Sequence, residues 1–226
     1  REESGGLRTV FRMRDEESGT FSAPFHAMAR MPRLLEPAQN VLGSDALYIH
    51  HSKLNLKEAI DGAIWQWHQD FGYWRIDGVQ RPEMTTFLVM LNAASEMSGC
   101  LYFLPGSHKK GRVDPVLDET STSYKLWKIP TPRMIELMEE LGDPVPIVGG
   151  PGTSVLFHPN ILHGSGHNMS RYHRWHMYFV YNRMDNKAEP VENPRPEYVC
   201  SRLFKQLEAV DDGALARLRQ PELQGA

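Results

Sequence analysis

Short β-rich runs punctuated by turn residues set the strongest limit on how this chain can fold. "TTFLVMLN" (85–92), "CLYFL" (100–104), "TSVLF" (153–157) and "RWHMYFVYN" (174–182) are each of strand length, and "AASEMSG", "PGSHKKG" and "HPNILHGSG" stand among them as breakers. "LRTVFRM" (7–13) and "ALYIHHSKLNLK" (46–57) alternate apolar and polar residues, as half-buried strands do. The decapeptide "WQWHQDFGYW" (65–74) alternates too and is predicted to be strand throughout. Helical spacing is confined to three places. These are "PFHAMARMPRLLEPAQNVLGSD" (24–45), interrupted by Pro32 and Pro37 and closed by Gly43; "RMIELMEEL" (133–141) within an otherwise loop-like 111–145; and "SRLFKQLEAVDDGALARLRQ" (201–220). Strand–helix alternation, GxGxxG and P-loop patterns are missing, which argues against a doubly wound sheet. The expectation is a mainly β sandwich or barrel with flanking α-helices, one domain over 1–226, in which 201–226 form a C-terminal helix and tail.

With 226 residues the chain can bury a sizeable single core, and 41% apolar with 23% charged residues is ordinary for a globular protein. A formal charge of −3 gives no hint of a nucleic-acid or anionic-membrane partner. No apolar run approaches the roughly 18 residues that a membrane span needs. Cys100 and Cys200 stand in unrelated contexts without a CxxC spacing, which fits a reduced, cytoplasmic protein. The first residue is Arg1 rather than Met, so a native start further upstream is expected, and monomer and homodimer both stay open.

The chemistry is concentrated in histidine. On a strand, His68 and Asp70 would share one face and converge on a point; a structural His–Asp hydrogen bond is the plainer reading of that pair alone. A second cluster, "LFHPNILHGSGHNMSRYHRWHMYFVYN" (156–182), supplies His158, His163, His167, His173 and His176. His163 stands where a strand-like "NIL" runs into the turn-like "HGSG". Two imidazoles and one carboxylate make a facial triad with three open positions, and His68, Asp70 and His163 would be its ligands. No cysteine accompanies them, which argues against structural zinc. His108 is expected to serve its loop, and His158, His167, His173 and His176 to be surface or core-edge residues.

"WHQDFGYW", "GCLYFLPGSHKKG" and "LHGSGHNMSRYHRWHMYFVYN", in this order, resemble the phytanoyl-CoA dioxygenase family of Fe(II)/2-oxoglutarate oxygenases. The resemblance extends over most of the chain to about Asn182 and is nearest to the ectoine-hydroxylating members. It implies a double-stranded β-helix, a cupin-like jelly roll. It assigns His68, Asp70 and His163 to iron, and Arg174, eleven residues after His163, to the distal carboxylate of 2-oxoglutarate. A guanidinium fork suits that partner. Ser165, Asn55 and Thr86 are carried over to the same cosubstrate. The implied reaction is hydroxylation of an aliphatic C–H bond with O2, releasing succinate and CO2. Asp70 stands where halogenases of the superfamily carry a small residue, so halogenation is not expected; desaturation, epoxidation and ring closure use the same ligands.

The likeness breaks where a substrate would lie. Ectoine hydroxylases typically carry "HQSRxN" and "WHSDFETWHxED", whereas this chain has "HHSKLN" and "WHQDFGYWRID". His51, Tyr73 and Trp74 are therefore the expected substrate contacts, and a small polar or zwitterionic molecule other than ectoine is the expected substrate. Ectoine 5-hydroxylation itself is one alternative. A cupin-like metal-dependent isomerase or hydrolase working with zinc or manganese and without 2-oxoglutarate is another, and a non-catalytic jelly-roll binding module a third.

Overall fold

The computed structural model describes residues 6–118 and 126–218. Its strands are β1 (Thr9–Phe11), β2 (Leu47–Lys57), β3 (Trp65–His68), β4 (Met84–Met90), β5 (Leu101–Phe103), β6 (Val116–Asp118), β7 (Leu126–Lys128), β8 (Val145–Ile147), β9 (Ser154–Phe157), β10 (His163–Ser165) and β11 (Arg174–Arg183). The α-helices are α1 (Ala23–Met28), α2 (Pro32–Leu42), α3 (Asp70–Trp74), α4 (Thr131–Leu141) and α5 (Ala214–Leu218). A five-stranded sheet runs β1-β2-β11-β4-β9 and a four-stranded sheet runs β3-β10-β5-β8, all pairs antiparallel. Apolar side chains from both sheets meet between them: Leu88 and Met90 from β4, Phe103 from β5, Phe157 from β9 and Tyr178 from β11. This is the jelly roll that the strand pattern and the resemblance anticipated.

Each sheet has its outer face covered by a helix. Alternate residues of β11 (Met177, Phe179, Tyr181) and β4 (Phe87, Val89) pack on Leu34, Leu35 and Ala38 of α2. Leu104 and Leu162 of the smaller sheet's loops pack on Met134 and Leu137 of α4. Pro32 opens α2, and Gly43 ends it in the left-handed conformation (φ 60°). Pro37 lies inside α2 instead of interrupting it, because burial of Leu34, Leu35 and Ala38 on either side outweighs the lost backbone bond. Between Val180 and Tyr181 of β11 the register with β2 slips by one residue, passing over His50. His51 consequently lines the cavity beside Trp74, and His50 packs its ring against Trp74 at 5.5 Å.

Three further expectations are corrected. The decapeptide is strand only to His68 and then bends into α3. "NIL" is the turn and "HGS" the strand, the reverse of the expected order, since His163 and Gly164 pair with β5. Residues 201–211 are not helical; Ser201 and Leu207 donate their N–H groups to His50 and Leu47 of β2, so tertiary pairing displaces local propensity. Only α5 is helical in that stretch, and 219–226 lie outside the described residues. Among the described residues no helix is long and apolar enough to cross a membrane.

Leu35 is 2% exposed at the centre of the α2 contact, whereas Val41 on the same helix is 64% exposed. Leu35→Ala is expected to lower unfolding free energy by about 2–5 kcal/mol. Val41→Ala should change it by less than about 0.5 kcal/mol. Urea unfolding measures both, and equal effects would contradict the packing described.

Candidate active site

The site begins with a strand pair. β10 runs antiparallel to β3 with His163 opposite His68, and their ring centroids lie 4.2 Å apart. Directly opposed residues on one face of an antiparallel pair are forced into contact, so register alone brings the two imidazoles together. Gly164 allows the close approach: a Cβ there would meet the Trp65 carbonyl at 3.0 Å.

Asp70 arrives by a different route. Gln69, extended at φ −116° and ψ 134°, is the N-cap of α3, and Asp70 is the first residue of that helix. The Gln69 amide nitrogen donates to the carbonyls of Asn160 (2.7 Å) and Gly111 (2.9 Å), and its oxygen accepts from Val113 N–H (2.8 Å). These bonds fix the bend that returns Asp70 toward the histidines. Its Oδ1 lies 3.9 Å from Nε2 of His68 and 3.9 Å from Nε2 of His163. Neither separation is a hydrogen bond. The three donor atoms surround one point that an ion could share.

Backbone carbonyls set the tautomers. His68 Nδ1 donates to the Gln66 carbonyl (2.7 Å) and His163 Nδ1 to the Ile161 carbonyl (3.0 Å). Both Nε2 lone pairs are thereby left toward Asp70, as metal-binding histidines require. Burial, and secondarily His163, holds the His68 imidazole down to about 3, and burial lowers His163. Both rings are neutral at ordinary pH.

Beside this centre lies a cleft lined by Lys53, Asn55, Trp65, Ser165, Arg174 and Tyr178 as well as the triad. Arg174 is 1% exposed, and among the described residues no carboxylate lies within ion-pair distance of it. Its Nε has no partner, and burial pushes the guanidinium below its ordinary value. Lys57, its cross-strand partner on β2, donates to Ser165 Oγ (2.9 Å) and to the carbonyls of Gly99 (3.3 Å) and Gly166. Lys53, also on β2, belongs to the same neighbourhood. Lys53 places its ammonium over Trp65 (4.8 Å) and Tyr178 (5.3 Å).

A larger cavity of about 510 Å³ opens on the other side of His68 and Asp70. His51, Tyr73 and Trp74 all line it, with Phe11, Thr86, Arg195 and Tyr198. Thr86 thus stands on the wall of the larger cavity, not of the cleft with Asn55, Ser165 and Arg174, and its hydroxyl is buried without a partner. Tyr73 offers the cavity its ring, since its hydroxyl accepts from Trp127 N–H (2.6 Å) and donates to the Trp127 carbonyl (3.1 Å). Trp74 reaches the cavity from α3 and not from a strand.

His176 departs from the expected surface or core-edge position. It is fully buried on β11, and its Nδ1 lies 2.6 Å from Nη1 of Arg174. The two-residue spacing on a strand was the available signal. His173 is exposed and pairs with Glu58 (2.7 Å), while the His108 and His158 rings lie tilted against each other at 5.6 Å. A second donor group, His50, Asp77 and Cys200, lies behind Trp74, but its carboxylate is already held by Arg195 (2.9 and 2.5 Å).

Comparison with known proteins now bears on this geometry. The chain is 31% identical over 218 residues to the ectoine dioxygenase of Bordetella bronchiseptica, covering 92% of this chain and 69% of that protein. It is 31% identical over 186 residues to the L-proline trans-4-hydroxylase of Streptomyces griseoviridis, covering 77% and 68% respectively. EctD from S. alaskensis is similar in structure. With bound Fe it gives a TM-score of 0.75 at 27% identity (93% of this chain, 70% of that one). With 2-oxoglutarate and 5-hydroxyectoine it gives 0.72 at 30% identity (89% and 65%). The family model for phytanoyl-CoA dioxygenase (PhyH) matches residues 5–175, and the chain belongs to that family.

Proposed function

We propose that this protein is an Fe(II)- and 2-oxoglutarate-dependent dioxygenase that hydroxylates an aliphatic C–H bond of a small polar or zwitterionic molecule. One juxtaposition carries the reading: a two-histidine, one-carboxylate centre lies between an open cavity and a buried guanidinium that has no acid partner among the described residues. The donor set suits Fe(II), with two neutral imidazoles, one carboxylate and no thiolate. Arg174, whose Nε is unpartnered and which meets no carboxylate among the described residues, suits the distal carboxylate of 2-oxoglutarate. When bound, the iron and 2-oxoglutarate supply C–H oxidation by O2 with release of succinate and CO2.

The chain's own residues supply placement. His68, Asp70 and His163 would hold the metal and leave coordination positions free. Ser165 accepts from Lys57, so its own hydroxyl proton remains available to a cosubstrate carboxylate, with Asn55 beside it. Trp74, Tyr73 and His51 would wall the substrate and exclude water. A metal-dependent isomerase or hydrolase has no need of a second buried anion pocket.

Similarity does not select the substrate, since an ectoine dioxygenase and a proline hydroxylase match this chain at the same 31% identity. The cavity wall does bear on it. His51 replaces a glutamine amide with a neutral imidazole whose Nδ1 is buried without a partner. Sites built around particular hydrogen bonds discriminate strongly when one is lost. Ectoine is therefore expected to be a poor substrate, turning over well below about one per second, an ordinary enzymatic rate. Mass spectrometry of product at saturating 2-oxoglutarate decides, and ordinary turnover would make ectoine the substrate.

His68→Ala, Asp70→Ala and His163→Ala should each lose iron binding and turnover while remaining folded, because the sheets are held by apolar clusters that need no metal. Near-normal activity with stoichiometric iron in any of the three would reject the triad. Arg174→Ala should raise the apparent KM for 2-oxoglutarate far more than that for the prime substrate. Losing a buried charge-assisted pair costs on the order of 2–5 kcal/mol, a rise of about 30-fold or more. An unchanged 2-oxoglutarate dependence would move the role to Lys53 or Lys57.

A further inference from the structure

Arg174 and His176 lie two apart on β11, so their side chains share the sheet face that looks into the jelly roll. The strand is paired on both sides there, His176 standing opposite Asn55 of β2 and Met90 of β4. Arginine has only donors, so the 2.6 Å contact from Arg174 Nη1 requires His176 Nδ1 to accept. That choice places the imidazole proton on Nε2, which is buried without a partner. An apolar side chain would fill this space without an orphaned N–H, so stability alone does not account for a histidine here. Burial, then Arg174 and Lys57, keep the ring uncharged. An acid at this position would also hold the guanidinium, but it would neutralise it.

We propose that His176 is the positioning residue of the cosubstrate cleft: it orients Arg174 through an uncharged acceptor and leaves the guanidinium's charge for an incoming dicarboxylate. This rests on the reading that Arg174 receives the distal carboxylate of 2-oxoglutarate. Tyr178, next on the same face, adds its hydroxyl to Arg174, so the guanidinium is held by neutral groups.

The test is calorimetric titration of anaerobic, iron(II)-loaded protein with 2-oxoglutarate and with 2-oxopentanoate, which ends in a methyl where 2-oxoglutarate has its distal carboxylate. The wild type should prefer 2-oxoglutarate by about 30-fold or more, and Arg174→Leu should lose that preference. His176→Asn, whose Oδ1 can replace Nδ1 as acceptor, should stay within about threefold of wild type for both acids. His176→Leu should bind 2-oxoglutarate about tenfold more weakly, and His176→Asp no better than 2-oxopentanoate, with 2-oxopentanoate binding unchanged in each. A wild type that binds both acids alike would overturn the role of Arg174 and the proposal with it. Leu and Asp variants that keep the wild-type preference while Arg174→Leu loses it would overturn the proposal alone, as would equal weakening toward both acids. Should His176→Asp not fold, the Asn and Leu variants decide: equal 2-oxoglutarate affinity in the two overturns it.

Discussion

The register of β10 against β3 is the constraint on which the rest of the site depends. His163 faces His68 because the two strands pair at that position, and the register shifts before the next pair, Ser165 with Trp65. A slip of one residue would turn either imidazole to the opposite face. The register is held from both sides, since His163 also pairs with Phe103 of β5 and Gly164 with Tyr102. Phe103 and Phe157 then close on the His163 ring at 6.0 and 5.6 Å, so the core between the sheets packs directly on a proposed ligand. Core packing and site geometry are the same set of contacts at this point.

The large sheet supplies the opposite charge. Lys57 ends β2, Arg174 opens β11, and the two are cross-strand partners buried at the same end of the sheet. Burying two cations side by side is costly unless hydrogen bonds or an anion compensate. Lys57 is satisfied by Ser165 and two carbonyls, whereas Arg174 keeps an unpartnered Nε. On the proposed reading an anion would meet this donor, which stands beside the triad in one cleft.

Much of this was legible in the sequence. The alternation of "ALYIHHSKLNLK" and the β-rich run "RWHMYFVYN" led to the two long strands β2 and β11, and the motif order led to the residues that the fold brings together: His68, Asp70, His163, Ser165, Asn55 and Arg174. The route taken by Asp70 was not legible. Strand alternation suggested that it shares a face with His68, but the bend depends on the Gln69 amide meeting loops from residues 111–113 and 160, which no local pattern reveals. His176 was missed for a related reason. Its burial follows from strands on both sides, whereas in sequence it stands near the start of its strand, just after the polar "NMSRYHR". Thr86 was placed one cavity away from where it lies, because the strand alone does not say which end of the barrel a side chain reaches. The C-terminal stretch carried helical periodicity that backbone pairing to β2 overrode.

The central claim is that one metal sits among His68, Asp70 and His163 with a dicarboxylate reaching Arg174. A crystal structure of the protein grown without oxygen in Fe(II) and 2-oxoglutarate tests it most directly. The account predicts one ion bound to Nε2 of both histidines and to the Asp70 carboxylate, with the distal carboxylate of 2-oxoglutarate on the Arg174 guanidinium. An ion among His50, Asp77 and Cys200 instead, or a 2-oxoglutarate bound away from Arg174, would contradict it.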